Sequence, residues 1–341
     1  MRLGVIARPD ARGLGIQTKA VADNMAATKV MVVNCDSVMP LQIRRDWYPN
    51  AQWVNGLPTR DDILQFLDGI DTVYTAETGY GQILWEEARR ANVKTVLHAN
   101  YEFLNPVDNP TVWAAPSLWN IEWWPSGTVH LPVPIETHLI EVEPKPDTAT
   151  NFLHVVGRPA RHSQWGERNG TVDLLNALPL VRSDITVTIT CQQPGYVEKL
   201  LNDHHVRVPD HITLNIQSVN IPDYWRLYQG QHALILPRRF GGLCLPANEA
   251  VGAGLPVIMP NIDPNNRWLP TEWLTEAIRQ GEARAKQQFV HYRTEPETLA
   301  DRIDQLATDT TFYRRAVDQA HQLRHEYSWP TLKPRYVQAF S

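Results

Sequence analysis

Cysteine is scarce in this chain: Cys35, Cys191 and Cys244 are the only three in 341 residues, widely separated and without CxxC spacing. An odd, scattered set argues against a disulfide framework or a structural zinc site, and a reducing compartment is the simpler expectation. Long apolar runs are lacking as well. Nothing approaches the ~18 residues of a membrane span, and the apolar run near Met1 is far too short for a secretory leader. A soluble, cytoplasmic protein without an integral membrane segment is expected. Positive charge is not in surplus: 32 Lys+Arg against 37 Asp+Glu leaves −5. The broad basic footprint of a protein that works by gripping nucleic acid is therefore missing. Internal repeats and low-complexity tracts are missing too.

What is present suffices for about two domains, at roughly 150 residues each. A 43% hydrophobic and 20% charged composition supplies buried cores and gives no case for disorder. Short apolar runs at Leu3–Ala7, Lys29–Asn34, Asp71–Thr75 and Lys94–Ala99 read as strands. Between them, helical spacing covers about Gln17–Ala27, Asp61–Leu67 and Gln82–Ala91. The proline-rich, charged stretch Val142–Thr150 suits a linker. A second series follows, with strands at Asn151–Val156, Ile185–Cys191, Ile212–Ile216, Ala233–Leu236 and Pro256–Met259. Its helices are expected at Thr171–Leu178, Val197–Leu201 and from Asn248, with Tyr224–Tyr228 continuing the alternation. Non-alternating strands separated by helices predict an α/β fold with parallel sheets covered on both faces. The expected division is 1–147, 148–325 and a closing segment 326–341. Two such halves place a ligand cleft at the C-terminal ends of their strands.

The stretch richest in chemistry runs from Leu234 to Ile258. A strand ends at Pro237, Arg238 and Arg239 follow, Gly241-Gly242 make a loop, and a helix is predicted to begin near Asn248. Glycines before a helix N-terminus leave backbone N–H groups free for an anion such as a diphosphate. Glu249, near the expected helix start, is placed to accept hydrogen bonds from ribose hydroxyls. The plainer alternative is a glycine-rich turn with a glutamate that favours the helix dipole.

Pro237, Gly242, Leu245, Glu249, Ala250, Gly254, Pro256, Val257 and Ile258 together resemble, in register, the nucleotide-sugar site of GT-B glycosyltransferases. The retaining enzymes of glycosyltransferase family 4 are the nearest pattern. That resemblance implies two Rossmann-like domains facing each other across a cleft, with a C-terminal helix crossing back to the first domain. It also implies a nucleoside-diphosphate sugar as donor, bound by Gly241, Gly242, Leu243, Leu245 and Glu249. The chain departs from the family at Gly241, where the first Glu of Glu-x7-Glu would contact the donor sugar, and at Cys244, where a glycine is usual.

A second match starts the C-terminal half. His154-Val155-Val156-Gly157-Arg158, Asn169-Gly170 and Leu174–Leu178 resemble the family's strand-Gly-Arg, Lys-Gly and Leu-Leu-x-Ala-Leu. Gly157 and Arg158 would meet the departing diphosphate. Asn169 stands at the lysine position, so Arg168 or Arg239 would supply the second cation. In the first half, Gly13 and Gly15 fall where the family has a glycine loop. Ala115-Pro116-Ser117 and His130–Ile135 resemble its passage before the interdomain crossing, and Tyr327–Pro330 with Leu332–Phe340 its last helix. The catalytic set implied is His98, Arg158 and Glu249, with Glu102 a further polar candidate.

Retaining members are described by a front-face path in which the leaving diphosphate helps take the acceptor's proton, so cations matter more than a protein base. No Asp-x-Asp occurs in the chain, and neither a metal nor another cofactor is expected. The acceptor stays open: a small molecule, glycan, lipid, protein or modified nucleic-acid base. Trp113, Trp119, Trp123 and Trp124 crowd one passage and are the guess for acceptor specificity, although packing is the usual role of tryptophan. Two alternatives remain. One is a nucleotide-sugar-binding protein without activity, since fold alone never proves activity. The other is a nicotinamide-dependent oxidoreductase, from Gly13-Leu14-Gly15 with Asp36, although Thr18 stands at the third glycine of that fingerprint.

Overall fold

The computed structural model describes residues 1–34, 43–159, 168–218 and 223–341. Cys35 and Asp36 lie outside these described residues. Two compact units divide the chain. Met1–Pro134, Ala285–Gln287 and Trp329–Ser341 form the first, and Ile135–Arg284 with Gln288–Ser328 form the second.

In the first unit the described residues form a parallel sheet of β1 (Leu3–Ala7), β2 (Lys29–Asn34), β3 (Gln52–Asn55), β4 (Thr72–Ala76), β5 (Lys94–His98), β6 (Val112–Ala115) and β7 (Val129–His130). Its strand order is β3-β2-β1-β4-β5-β6-β7. Every residue of β1 and β4 is buried, which is why neither strand shows alternation in sequence. The covering helices are α1 (Gly13–Asn24), α2 (Arg60–Leu67) and α3 (Gln82–Arg90).

α1 starts earlier than the expected Gln17, so Gly13 and Gly15 sit in its first turn rather than in a loop. The reason is close approach: a Cβ on Gly15 would overlap the carbonyl oxygen of Asp10. Glycine here lets the helix press against the chain leaving β1. α2 opens with a capping box, in which Thr59 accepts from the Asp62 N–H and Asp62 accepts from the Thr59 N–H at 2.8 Å. Thr59→Ala is expected to lower stability by about 1 kcal/mol, read as a small drop in the urea midpoint with an unchanged slope.

In the second unit the parallel strands are β8 (Asn151–Gly157), β9 (Ile185–Cys191), β10 (Ile212–Gln217), β11 (Ala233–Ile235), β12 (Val257–Pro260) and β13 (Leu274–Thr275). Their order is β10-β9-β8-β11-β12-β13. β9 reads Ile-Thr-Val-Thr-Ile-Thr-Cys, a β-branched run that fits a pleated, buried surface. β14 (Ala277–Arg284) and β15 (Gln288–Thr294) pair antiparallel. The helices are α4 (Thr171–Ala177), α5 (Tyr196–Asp203), α6 (Leu245–Gly252), α7 (Pro296–Thr308) and α8 (Thr310–Glu326). Tyr224–Tyr228 is a single 3-10 turn.

The last helix, α9 (Trp329–Phe340), belongs to the first unit. It buries Trp329, Leu332, Tyr336 and Phe340, spaced at three and four as one helix face requires. Thr72 donates to the Phe340 carbonyl at 2.8 Å, and the Tyr336 hydroxyl to the Pro132 carbonyl at 3.1 Å. Among the described residues no helix is long and apolar enough to cross a membrane.

Candidate functional site

In the second unit the strand order reverses its direction between β8 and β11. Ligands of open parallel sheets bind outside the C-terminal strand ends at such a switch point. Both arginine-bearing motifs converge there. β8 ends at Gly157, whose φ of +68° is open to glycine, and Arg158 follows. Arg158 is exposed and has no ion-pair partner among the described residues.

The chain that enters α4 is sewn to the chain that leaves β11. The Arg239 N–H donates to the Arg168 carbonyl at 2.8 Å. Gly170 has φ +68°, and a Cβ there would overlap the carbonyl oxygen of Pro237. Asn169 donates its Nδ2 to the carbonyls of Val155 and Val156 at 3.0 and 3.2 Å. It therefore holds the end of β8. His154, fully buried, binds the Ile235 carbonyl and Thr171 Oγ1 at 2.8 and 3.0 Å, joining β8 to β11 and α4.

The glycine loop is packed around guanidinium groups. Arg238, 6% exposed, donates to the carbonyls of Phe240 and Leu243 at 2.9 and 3.2 Å. Arg168 lies over the Phe240 ring, 5.2 Å from its centroid, and Phe240 stacks on Phe289. Arg239 donates to the Tyr292 carbonyl at 3.0 Å. Gly241 and Gly242 are buried, whereas Leu243 and Leu245 are half-buried.

The two departures from the family pattern differ in kind. Cys244 has φ −124°, a conformation any residue adopts, so no glycine is needed there. Gly241 has φ +118°, and a Cβ would fall inside the contact distance of Arg168 Nη2 and 2.7 Å from Arg238 Nη2. Glycine at 241 is thus demanded by the backbone, and the arginine tips fill the space a Cβ would take.

α6 begins at Leu245, with Pro246 in its first turn, rather than near Asn248. Glu249 consequently stands in the second turn and not at the helix start. Sequence gave no sign of its partner: the Tyr228 hydroxyl, buried, donates to Glu249 Oε2 at 2.6 Å. Burial pushes the Glu249 carboxyl up to about 7, with the Tyr228 hydrogen bond opposing. Tyr228 itself is pushed well above its usual range, first by burial and then by the Glu249 charge.

The first-unit candidates fare differently. Gly13 is exposed at the start of α1 and Gly15 is buried against Asp10. His98, expected to face a ligand, is 1% exposed. Its Nδ1 lies 2.9 Å from the Tyr74 hydroxyl and 3.0 Å from Gln17 Nε2, and the Tyr336 ring of α9 packs edge-on against it. Burial drives its pKa down to about 3. The imidazole is therefore enclosed by side chains of β4, α1 and α9 rather than presented at the surface. Glu102 is likewise 1% exposed. Of the four clustered tryptophans, Trp119 and Trp124 are buried, Trp113 is half-buried, and Trp123 is 72% exposed. Among the described residues no group of three or more His, Cys, Asp or Glu side chains could hold a metal ion.

No family model and no curated protein matches the sequence. Solved structures match across the whole chain. Anabaena HepE, in complex with UDP and glucose, is 12% identical over 99% of this chain and 98% of its own, with a TM-score of 0.70. Sucrose-phosphate synthase from Thermosynechococcus elongatus is 14% identical over 100% and 98%, at 0.65. A glycosyltransferase from Rickettsia africae is 13% identical over 99% and 98%, at 0.67. The chain has the GT-B two-domain fold of these glycosyltransferases.

Proposed function

We propose that this chain is a retaining glycosyltransferase that moves a sugar from a nucleoside-diphosphate sugar to an acceptor hydroxyl. The observation that carries the reading is Arg158, an exposed guanidinium at the end of β8, beside the glycine loop at the switch point of the second unit's sheet. Neighbours of the same fold are described with UDP and with UDP-glucose, which supports a nucleotide-sugar donor.

In this reading Arg158, with Arg168 and Arg239 behind it, neutralises the diphosphate, Gly157 and Gly242 let the backbone approach it, and Glu249 accepts from the ribose. Position 241 faces the glycosyl group. The bond from the anomeric carbon to the diphosphate oxygen breaks, and a new bond to the acceptor oxygen forms on the same face. The acceptor's proton passes to the departing diphosphate. Guanidinium groups stabilise the charge developing on that leaving group, so neither a metal nor another cofactor is required. The acceptor is not specified by these residues, and exposed Trp123 remains the candidate for stacking on it.

A screen of UDP-, GDP-, ADP- and dTDP-sugars tests this. At least one should raise the melting temperature, because binding to the folded state stabilises it, and should be hydrolysed slowly without acceptor. Binding with no turnover under any acceptor would favour the second reading, a binding protein, which Gly241 in place of a glutamate supports. The oxidoreductase reading is weakened because packing of Gly15 on the Asp10 carbonyl accounts for that glycine without a dinucleotide.

A further inference from the structure

The first unit has a switch point of its own. Its strand order, β3-β2-β1-β4-β5-β6-β7, reverses direction between β1 and β4. A ligand of that sheet therefore belongs outside the C-terminal ends of these two strands. Two carboxylates stand there. Asp10, after β1, is 2% exposed and accepts from the backbone N–H and the Nε of Arg12 at 3.0 and 3.3 Å. Those bonds commit it to the chain that leads into α1. Glu77, after β4, is only half-buried.

The backbone at Glu77 is strained. Its φ is +56°, and the Thr78 N–H donates to the Ala76 carbonyl at 2.7 Å. Such a bond around a central residue of positive φ is the rare form of the three-residue turn. Glycine takes that conformation most readily, yet a glutamate occupies it. The surroundings hold the turn in place. The Glu77 N–H donates to the His98 carbonyl at 2.9 Å, and Thr75 Oγ1 to the Thr78 carbonyl at 2.8 Å. A Cβ on Gly79, two residues on, would overlap Asp108 and Trp85. Strain enforced in this way gathers where a side chain has a task beyond folding. The Glu77 carboxylate accepts from Nδ2 of Asn100, two residues past the end of β5. A carboxylate and a carboxamide side by side can accept from and donate to neighbouring hydroxyls of one molecule, and the carboxylate's bond is charge-assisted.

We propose that Glu77, with Asn100, binds and orients the acceptor, and that this acceptor is a polyol or saccharide offering two adjacent hydroxyls. The acceptor role rests on the proposed glycosyl transfer, whereas the saccharide site itself is tested without it.

Binding of glycerol and of the methyl glycosides of glucose, galactose, mannose and N-acetylglucosamine to the purified protein is followed by saturation-transfer NMR. UDP, GDP, ADP and dTDP are titrated separately. At least one of the five hydroxyl compounds is expected to bind the parent, and Glu77→Gln should weaken it by at least about tenfold. Glu77→Gly relieves the turn, so it should lose the same binding while melting at the parent's temperature or up to about 3 °C above it. A glutamate that serves only the fold would give the reverse, a glycine variant that melts lower and still binds. No binding of any of the five compounds overturns the inference. So does binding that Glu77→Gln leaves within twofold of the parent, or a glycine variant that melts below it. Saccharide binding without any nucleoside diphosphate binding leaves this site standing and overturns the proposed function. Nucleoside diphosphate binding without saccharide binding does the opposite.

Discussion

Arg158→Ala is expected to lower kcat by about 10²–10³-fold, the usual effect of removing one preorganised donor from a developing oxyanion. The side chain is exposed and forms no ion pair among the described residues, so its loss should leave stability within about 0.5 kcal/mol of the parent. That separation makes the experiment informative. A mutation that harms turnover without harming the fold can only have removed an interaction with something bound. Arg158→Lys keeps the charge but loses the fork, and should recover part of the loss and not all of it. A fall shared by kcat and kcat/KM would locate the contact in the transition state, whereas a rise in KM alone would locate it in ground-state binding. Turnover within twofold of the parent would remove Arg158 from the diphosphate site. Arg238 and Arg239 cannot be read so simply, because both also hold backbone carbonyls.

How far the sequence disclosed this site depended on whether a residue's role is local. Gly157-Arg158 could be read because a strand end followed by a cation is a short-range pattern, and the strand is where it was expected. Gly170 and Gly241 were visible as glycines, but their reasons, the Pro237 carbonyl against the first and a φ of +118° at the second, belong to the folded backbone. The start of α6 was misread for a physical cause. Asn248 is a favoured N-cap residue, whereas the actual cap is Cys244, which offers no side-chain bond. A similar bias hid the start of α1, since Gly13 and Gly15 look like loop residues until the helix is seen to need close approach. His98 ended its strand as expected, and its enclosure comes only from the neighbours supplied by β4, α1 and α9. The antiparallel pair β14 and β15 went unread although Ala277–Arg284 is mostly polar, because a strand with little burial lacks the apolar run that marks the others. The Tyr228–Glu249 bond joins residues 21 apart through packing alone, and no motif announces it.

Burial of Glu249, opposed by that bond, sets two pH dependences that should run in opposite directions. The Glu249 carboxyl titrates at about 7 in the folded chain against an ordinary 4.5. Below the ordinary value both folded and unfolded chains hold the proton, and the group adds no pH dependence. Between the two values the unfolded chain releases the proton while the folded chain keeps it, so stability falls as pH rises. Above about 7 the loss is complete, at up to about 3 kcal/mol for a shift of this size. Glu249→Gln should therefore stabilise the protein at pH 8 and have little effect near pH 4.5, read as the change in urea midpoint at each pH. Tyr228→Phe should push the titration higher, since it removes a hydrogen bond that favours the charged form. Donor binding should move the other way. A carboxylate accepts from ribose hydroxyls more strongly than a neutral acid does, so the affinity for a nucleoside diphosphate should rise through neutral pH in the parent. In Glu249→Gln it should be weaker, by roughly tenfold, and flat with pH. A glutamate serving only to pack α6 would give the stability trend without the binding trend. The two together would mark a group kept ionisable at a cost in stability because a ligand uses it.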